Sequence, residues 1–210
     1  MIDAMTTTLI NDKNSKWFNQ KLVIASHNKG KVVEIRELLS PLGFSVSSAA
    51  DYDLAEPEET EDTFEGNALL KARFVYKATQ LSVLADDSGL VIPALGGDPG
   101  VYSARWAENG DFNVAMEKVQ SRLLPDMDPA AYFVCVLAFV DVNGTEALFK
   151  GTCHGHIQFP QKGTFGFGYC PIFVPDGETR TFGEMPYSDK QKYSHRSRAF
   201  EQFQQFLLAS

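Results

Sequence analysis

Two short apolar runs, Leu22-Val23-Ile24-Ala25 and Ser82-Val83-Leu84-Ala85, each end in a polar cluster, and the chain between them carries helical periodicity. No other feature restricts the fold as much. Short β-branched runs of this kind are buried-strand patterns, and a strand leading through a polar turn into an amphipathic helix is a β-turn-α unit. After the first run come Ser26-His27-Asn28-Lys29-Gly30 and a helix with Val32, Ile35, Leu38, Leu39 and Leu42 on one side. Glu34, Arg36 and Glu37 are expected to face outward, and Pro41 and Gly43 mark the end. The acidic stretch Glu56-Pro57-Glu58-Glu59-Thr60-Glu61-Asp62 then leads to Thr63 as N-cap of a second helix. Phe64, Ala68, Leu69, Ala72 and Val75 give that helix its apolar face, and it is expected to run to about Gln80. The second strand delivers Asp86-Asp87-Ser88-Gly89 at its carboxyl end. Ligands of open α/β sheets bind outside the carboxyl ends of strands, so the two polar clusters are expected to be neighbours in one cleft.

Downstream, the Gly- and Pro-rich segment from Leu95 to Trp106 predicts a loop of tight turns, and Phe112 to Leu124 predicts a third helix. Tyr132 to Val140 and Ala147 to Phe159 read as long strands joined by Asp141-Val142-Asn143-Gly144, a β-hairpin. A glycine-rich turn, Gly166-Phe167-Gly168-Tyr169, precedes a short strand, Ile172 to Val174. A final helix carries Ala199, Phe200, Phe203, Phe206 and Leu207 on its apolar face. Residues 1–20 are polar and aperiodic and read as an extension; residues 21–210 read as a single domain.

With 210 residues and 44% hydrophobic composition, the chain can bury a real core. Its longest apolar runs, such as Phe133 to Val140, fall far short of the roughly 18 to 20 residues of a membrane-spanning helix. A net charge of −8 argues against a phosphate-coating surface for duplex nucleic acid. Any phosphate ligand must therefore meet a local group of cations or a bridging metal. The three cysteines, Cys135, Cys153 and Cys170, show neither disulfide-pair nor zinc-site spacing, which suits a reducing compartment, and with no secretory signal visible the expected location is the cytoplasm.

Three clusters could carry chemistry. Ser26-His27-Asn28-Lys29-Gly30-Lys31 lies between a strand and a helix, where free N–H groups and two lysines would suit phosphate, although it lacks the P-loop pattern and is equally a plain βα turn. Asp86, Asp87 and Ser88 end a hydrophobic strand, and Glu58 and Glu59 precede a helix; carboxylates gathered near phosphates commonly hold Mg²⁺, and one can also take a proton from water. The alternative for Glu56 to Asp62 is a solvated charge run at a helix start. Lys71, Lys190, Lys192, His195, Arg196 and Arg198 supply cations suited to phosphate or a purine carbonyl, or else a solvated basic face. Phe167 and Tyr169 could stack on a base or pack in a turn. His154 and His156 alternate on a strand with no third ligand in sight and read as exposed. The signatures of serine, zinc-protease and Cys-His hydrolases are absent.

Taken in order, these segments resemble the inosine triphosphate pyrophosphatase family. The likeness is carried by Ala25-Ser26-His27-Asn28-Lys29-Gly30-Lys31, by Glu59-Thr60 with Thr63-Phe64 and Asn67 to Ala72, and by Ala85-Asp86-Asp87-Ser88-Gly89-Leu90. It continues through Leu95-Gly96-Gly97 with Pro99 to Arg105, Gly166-Phe167-Gly168-Tyr169 with Pro171, and Ser194-His195-Arg196. The resemblance implies an α/β fold with a mixed, curved sheet and flanking helices, two lobes around a central nucleotide cleft, a homodimer and Mg²⁺. It implies hydrolysis of the non-standard purine nucleoside triphosphates ITP, dITP and XTP to the monophosphate and pyrophosphate. By the same implication Ser26, Asn28 and Lys31 hold the triphosphate with Lys71, and His27, Lys29 and Gly30 belong to the same turn. Glu59 and Asp87 serve the metal, and Asp87 is also the base that activates water, flanked by Asp86 and Ser88. Phe167, Gly168, Tyr169, Lys190, His195 and Arg196 form the base and sugar end.

Two departures stand out. Cys170 occupies a position that in the family is usually Asp, and a neutral thiol carries no charge and accepts hydrogen bonds weakly, so base selectivity or turn geometry is open there. Gly66 stands where many members carry Glu, which leaves Glu65 as the neighbouring substitute. Two other readings follow: a nucleotide pyrophosphatase with a different base preference, and a nucleotide-binding sensor without turnover. The paired Asp86 and Asp87 speak against the sensor.

Overall fold

The structure is a computed structural model and describes residues 17–209. Six strands form one sheet in the order β2-β1-β3-β4-β5-β6: β1 (Lys21–Ala25), β2 (Ser45–Ser48), β3 (Ser82–Val91), β4 (Ala130–Val140), β5 (Glu146–Ile157) and β6 (Phe173–Pro175). β1 pairs in parallel with β2 and β3, whereas β5 and β6 pair antiparallel, so the sheet is mixed. The helices are α1 (Lys29–Leu39), α2 (Phe64–Thr79), α3 (Phe112–Arg122), the single turn α4 (Tyr187–Lys190) and α5 (His195–Ala209). The expected mixed sheet with flanking helices is what forms.

The chain divides into two compact units. The first takes in residues up to Asp87, Val136–Lys150 and the chain from Ala199; the second takes in Ser88–Cys135 and Gly151–Arg198. The core of the first unit follows from strand alternation. Val23, Ala25, Val83, Ala85, Val136, Ala138 and Val140 share a buried cluster with Ala68, Ala72 and Val75 of α2. The alternate residues Leu22, Ile24, Leu84 and Phe139 are buried as well, and Phe139 lies 5.2 Å from Phe203 of α5. A strand buried on both faces reads as a continuous apolar run, which is why β1 and β3 stand out in the sequence. The second unit has its own core, in which Phe133, Phe173 and Phe182 pack around one another with Leu90, Ile92, Met116 and Ile172.

Local signals set the element ends. Asn28 Oδ1 accepts from Lys31 N at 3.1 Å and caps α1, and Thr63 Oγ1 accepts from Gly66 N at 3.0 Å and caps α2. α2 ends at Gln80 in the left-handed region, φ 55°. The hairpin turn between β4 and β5 closes with Asp141 N donating to Thr145 O at 3.0 Å, and Asp141 Oδ1 accepts from the N–H groups of Asn143 and Thr145. The Leu95 to Trp106 loop contains two 3₁₀ turns, as its composition predicts. His154 and His156 are exposed on β5, as expected.

Three details differ from the sequence reading. Glu34, expected to face water, is buried on α1. β2 carries no apolar run, and its Ser-Val-Ser-Ser sequence gives no strand signal; its place is fixed by pairing with β1. Residues 17–20, assigned to the N-terminal extension, contribute to the first unit: Trp17 is buried, donates its indole N–H to Leu207 O at 3.0 Å and packs edge-on against Phe139. The remainder of that extension lies outside the described residues.

Candidate active site

Parallel pairing aligns Ala25 with Ala85, so β1 and β3 run out side by side and present Ser26 next to Asp86. The two polar clusters meet there, as the strand-end rule anticipates. Lys31 Nζ lies 2.6 Å from Asp86 Oδ1, and the Asp86 side chain is fully buried. Ser26 Oγ accepts from Asn28 N at 3.2 Å, which shapes the turn ahead of α1. Lys29 is exposed, while Gly30 and Lys31 are half-buried in the first turn of that helix.

Beside this pair sits a buried ion cluster. Lys71, on the inner face of α2, donates to Glu59 Oε1 and to Asp87 Oδ1, both at 2.7 Å. Lys71 and Asp87 are each 4% exposed. Desolvation of such a cluster is costly and is offset only when every charge has a close partner. Burial pushes the Asp87 carboxyl up to about 6 from its ordinary 3.8, against the pull of Lys71 and Lys31. Burial acts on Glu59 in the same sense, but Lys71 outweighs it and holds that carboxyl below its usual range. Burial would lower Lys71, and the facing charges of Asp87 and Glu59 raise it instead. Lys71 is therefore a firm cation, and Asp87 a carboxylate that takes up a proton more readily than an ordinary Asp.

Asp87 Oδ2 is buried with no hydrogen-bond partner. An orphaned carboxylate oxygen in an all-oxygen donor set is suited to a hard cation, and Glu59 is the second carboxylate at the same place. Among the described residues no three His, Cys, Asp or Glu side chains form a complete metal cage. Two carboxylates nonetheless fit Mg²⁺, which commonly takes one or two from protein and fills its octahedron with water and substrate phosphate.

The residues expected at the base and sugar end belong to the second unit. Lys190 Nζ lies 5.2 Å from the centre of the Phe167 ring and Arg196 Cζ 5.9 Å, so both cations are gathered around one half-buried aromatic. Arg196 is 2% exposed and donates to Ser88 Oγ at 3.0 Å. His195 stacks on Phe133 at 4.9 Å. Tyr169 is buried, donates its hydroxyl to Ser103 O at 2.9 Å and meets Phe112 edge-on, so its ring is part of the core. Gly168 follows Phe167 in the turn, and Cys170 is buried beside Gly166.

Sequence reasoning gave no role to Asn67, which is fully buried and grips the backbone of Glu61. The signal was a lone Asn in the first turns of a helix, where an amide is unfavourable unless it bonds to backbone. His27, expected near substrate, places Nε2 at 2.8 Å from Leu54 O.

The chain is similar to known proteins over nearly its whole length. A dITP/XTP pyrophosphatase of Rhodospirillum centenum is 51% identical over 185 residues, covering 86% of this chain and 91% of the relative. One from Gluconobacter oxydans is 48% identical over 184 residues, covering 87% and 88%. The solved structure of the Staphylococcus aureus Ham1 protein superposes with a TM-score of 0.81 at 37% identity, covering 90% of this chain and 98% of that one. The Mycobacterium abscessus nucleoside-triphosphatase / dITP/XTP pyrophosphatase gives a TM-score of 0.70 at 39% identity, covering 87% and 98%. The model of the Ham1 family matches residues 22–206, and with these likenesses it establishes that the chain belongs to the Ham1 family.

Proposed function

We propose that this protein hydrolyses ITP, dITP and XTP to the nucleoside monophosphate and pyrophosphate, with Mg²⁺ as cofactor. The observation that carries the proposal is the buried cluster Lys71, Asp87 and Glu59 beside the Lys31–Asp86 pair at the ends of two parallel strands. Family membership and the names of the relatives support the substrate class.

In this reading Ser26, Asn28 and Lys31 hold the triphosphate at the start of α1, and Lys71 adds a buried positive charge. Glu59 and Asp87 hold the metal, which when bound offsets phosphate charge. Asp87 takes the proton from the attacking water: a carboxyl pushed up to about 6 is close to the operating pH and accepts a proton more readily than an ordinary Asp. The water attacks between the α- and β-phosphates. The fixed charges of Lys31 and Lys71 need no reorganisation as negative charge builds on the leaving pyrophosphate. Phe167, Lys190, His195 and Arg196 are assigned to base and sugar, with Gly168 and Tyr169 setting the turn. A polar base pocket discriminates because a wrong exocyclic group leaves protein atoms unpaired.

We further propose a cytoplasmic homodimer. Three buried cysteines, none in a disulfide, suit a reducing compartment, and the dimer is what the family resemblance implies. The test is product analysis of the purified protein with Mg²⁺ and ITP, XTP, GTP, ATP or dTTP, scoring pyrophosphate against orthophosphate. Pyrophosphate and monophosphate from ITP and XTP support the reading, and Asp87→Asn should abolish turnover while retaining nucleotide affinity. Release from dTTP instead would point to another base preference. No release from any nucleotide, with binding intact, would point to a sensor.

A further inference from the structure

Glu59 lies on a segment without regular structure, from Leu54 to the start of α2, that carries Glu56, Glu58, Glu59, Glu61 and Asp62. Four of these acids are exposed and Glu59 alone turns inward, to Lys71. A stretch with this density of like charge repels itself and favours extension into water. One salt bridge does not fix such a loop, because ordering each of its backbone residues costs conformational entropy.

The segment is fastened at both ends by side chains from outside it. At the near end His27 Nε2 meets Leu54 O at 2.8 Å. A carbonyl only accepts, so Nε2 carries the hydrogen and the ring is committed to the loop. At the far end the Asn67 amide makes a two-point clamp on one peptide unit. Its Oδ1 accepts from Glu61 N and its Nδ2 donates to Glu61 O, both at 3.0 Å. Gly66 supplies the third element. A Cβ there would stand 2.7 Å from Glu61 Cβ and 2.9 Å from its Cγ, so the segment crosses the first turn of α2 where only glycine leaves space.

We propose that the segment 54–62 is a strap whose three fastenings, His27, Asn67 and Gly66, position Glu59 for the metal, and that His27 and Asn67 act in the reaction as positioning residues. The inference rests on the pyrophosphatase reading above. It reassigns His27 from the phosphate turn to the strap, and it gives Gly66 a reason of its own: the bulk a larger residue would bring is already supplied by the Glu61 side chain lying over it.

The test uses His27→Ala, His27→Gln, Gly66→Ala and Asn67→Asp in the full chain. Gly66→Ala is expected to keep the fold, since alanine favours the helix, while its methyl group presses most closely on Glu61 of the strap and also meets the Thr63 cap. Three quantities are read: the Mg²⁺ concentration at half-maximal pyrophosphate release from ITP, the KM for ITP at saturating Mg²⁺, and amide hydrogen exchange across residues 55–62. His27→Ala, Gly66→Ala and Asn67→Asp are expected to raise the half-saturating Mg²⁺ concentration on the order of 10-fold, the range for lost outer-shell support of a metal ligand. KM for ITP should stay within about twofold over the same range of variants. Exchange in the strap should quicken while that of β1 and β3 does not, and His27→Gln, whose amide can reach Leu54 O, should restore most of the Mg²⁺ affinity. Unchanged Mg²⁺ dependence in His27→Ala and Gly66→Ala, unchanged exchange in the strap, or a rise confined to the KM for ITP each overturns the proposal. A wild-type protein that releases no pyrophosphate overturns the functional reading instead, and the strap's role falls with it.

Discussion

The chemistry converges on Asp87, where three facts constrain one side chain. It is 4% exposed, one oxygen is bound to Lys71, and the other has no partner. Its folded pKa of about 6 lies above the unfolded value of 3.8, so the folded state binds the proton more tightly. The stability this contributes is complete below about pH 4 and is lost as pH rises through about 6. In metal-free buffer Asp87→Asn, which cannot ionise, should therefore melt above the wild type at pH 7, with the gap closing toward pH 4. Thermal melts in a chelator across that range check it, and a gap independent of pH would contradict the assignment. Most of this constellation was legible in sequence as residue types: adjacent carboxylates at a strand end, lysines near a helix start, a Glu in an acidic loop. What sequence could not supply was pairing. Nothing in the spacing of Glu59, Lys71 and Asp87 says that one ammonium joins the two carboxylates, nor that His27 turns toward Leu54.

Among elements, those with strong periodicity or a cap were legible and those set by tertiary pairing were not. α2 could be placed because Thr63 caps it and its apolar positions recur every three to four residues. β2 could not, because four residues with three serines have no period, and only hydrogen bonds to β1 make them a strand. Glu34 shows the opposite failure: a helical pattern assigns a charged residue to water, yet α1 buries it. α1 offers a direct check on the relation between capping and binding. Asn28→Ala removes the acceptor for Lys31 N and should cost about 1 kcal/mol of stability, the usual worth of an N-cap. Because the same helix start is assigned to phosphate, its affinity for ITP should fall as well, which denaturation and nucleotide titration measure separately. A stability loss with full affinity would limit Asn28 to a structural role.

For the molecule as a whole, charge sets the terms. A net charge of −8 argues against a broad cationic surface, and the cations assigned to phosphate are held among carboxylates, Lys31 by Asp86 and Lys71 by Asp87 and Glu59. Such an arrangement suits a small polyanion with its metal and repels an extended one. A short duplex DNA should therefore neither shift on a native gel with the protein at about 0.15 M salt nor compete for ITP hydrolysis. Retardation would reveal a basic surface that the charge count hides. Among the described residues no helix is long and apolar enough to cross a membrane, in line with the short apolar runs of the sequence.

The boundary between the two units falls between Asp87 and Ser88, consecutive residues of one strand. Everything assigned to phosphate, metal and water lies on one side of that peptide bond, and everything from Phe167 to Arg196 lies on the other. Inheritance can exploit such a division. Substitutions that retune base choice can accumulate in the second set of residues, where Cys170 lies, while the hydrolytic set stays fixed, so one ancestral reaction can be redirected to new nucleotides without being reinvented.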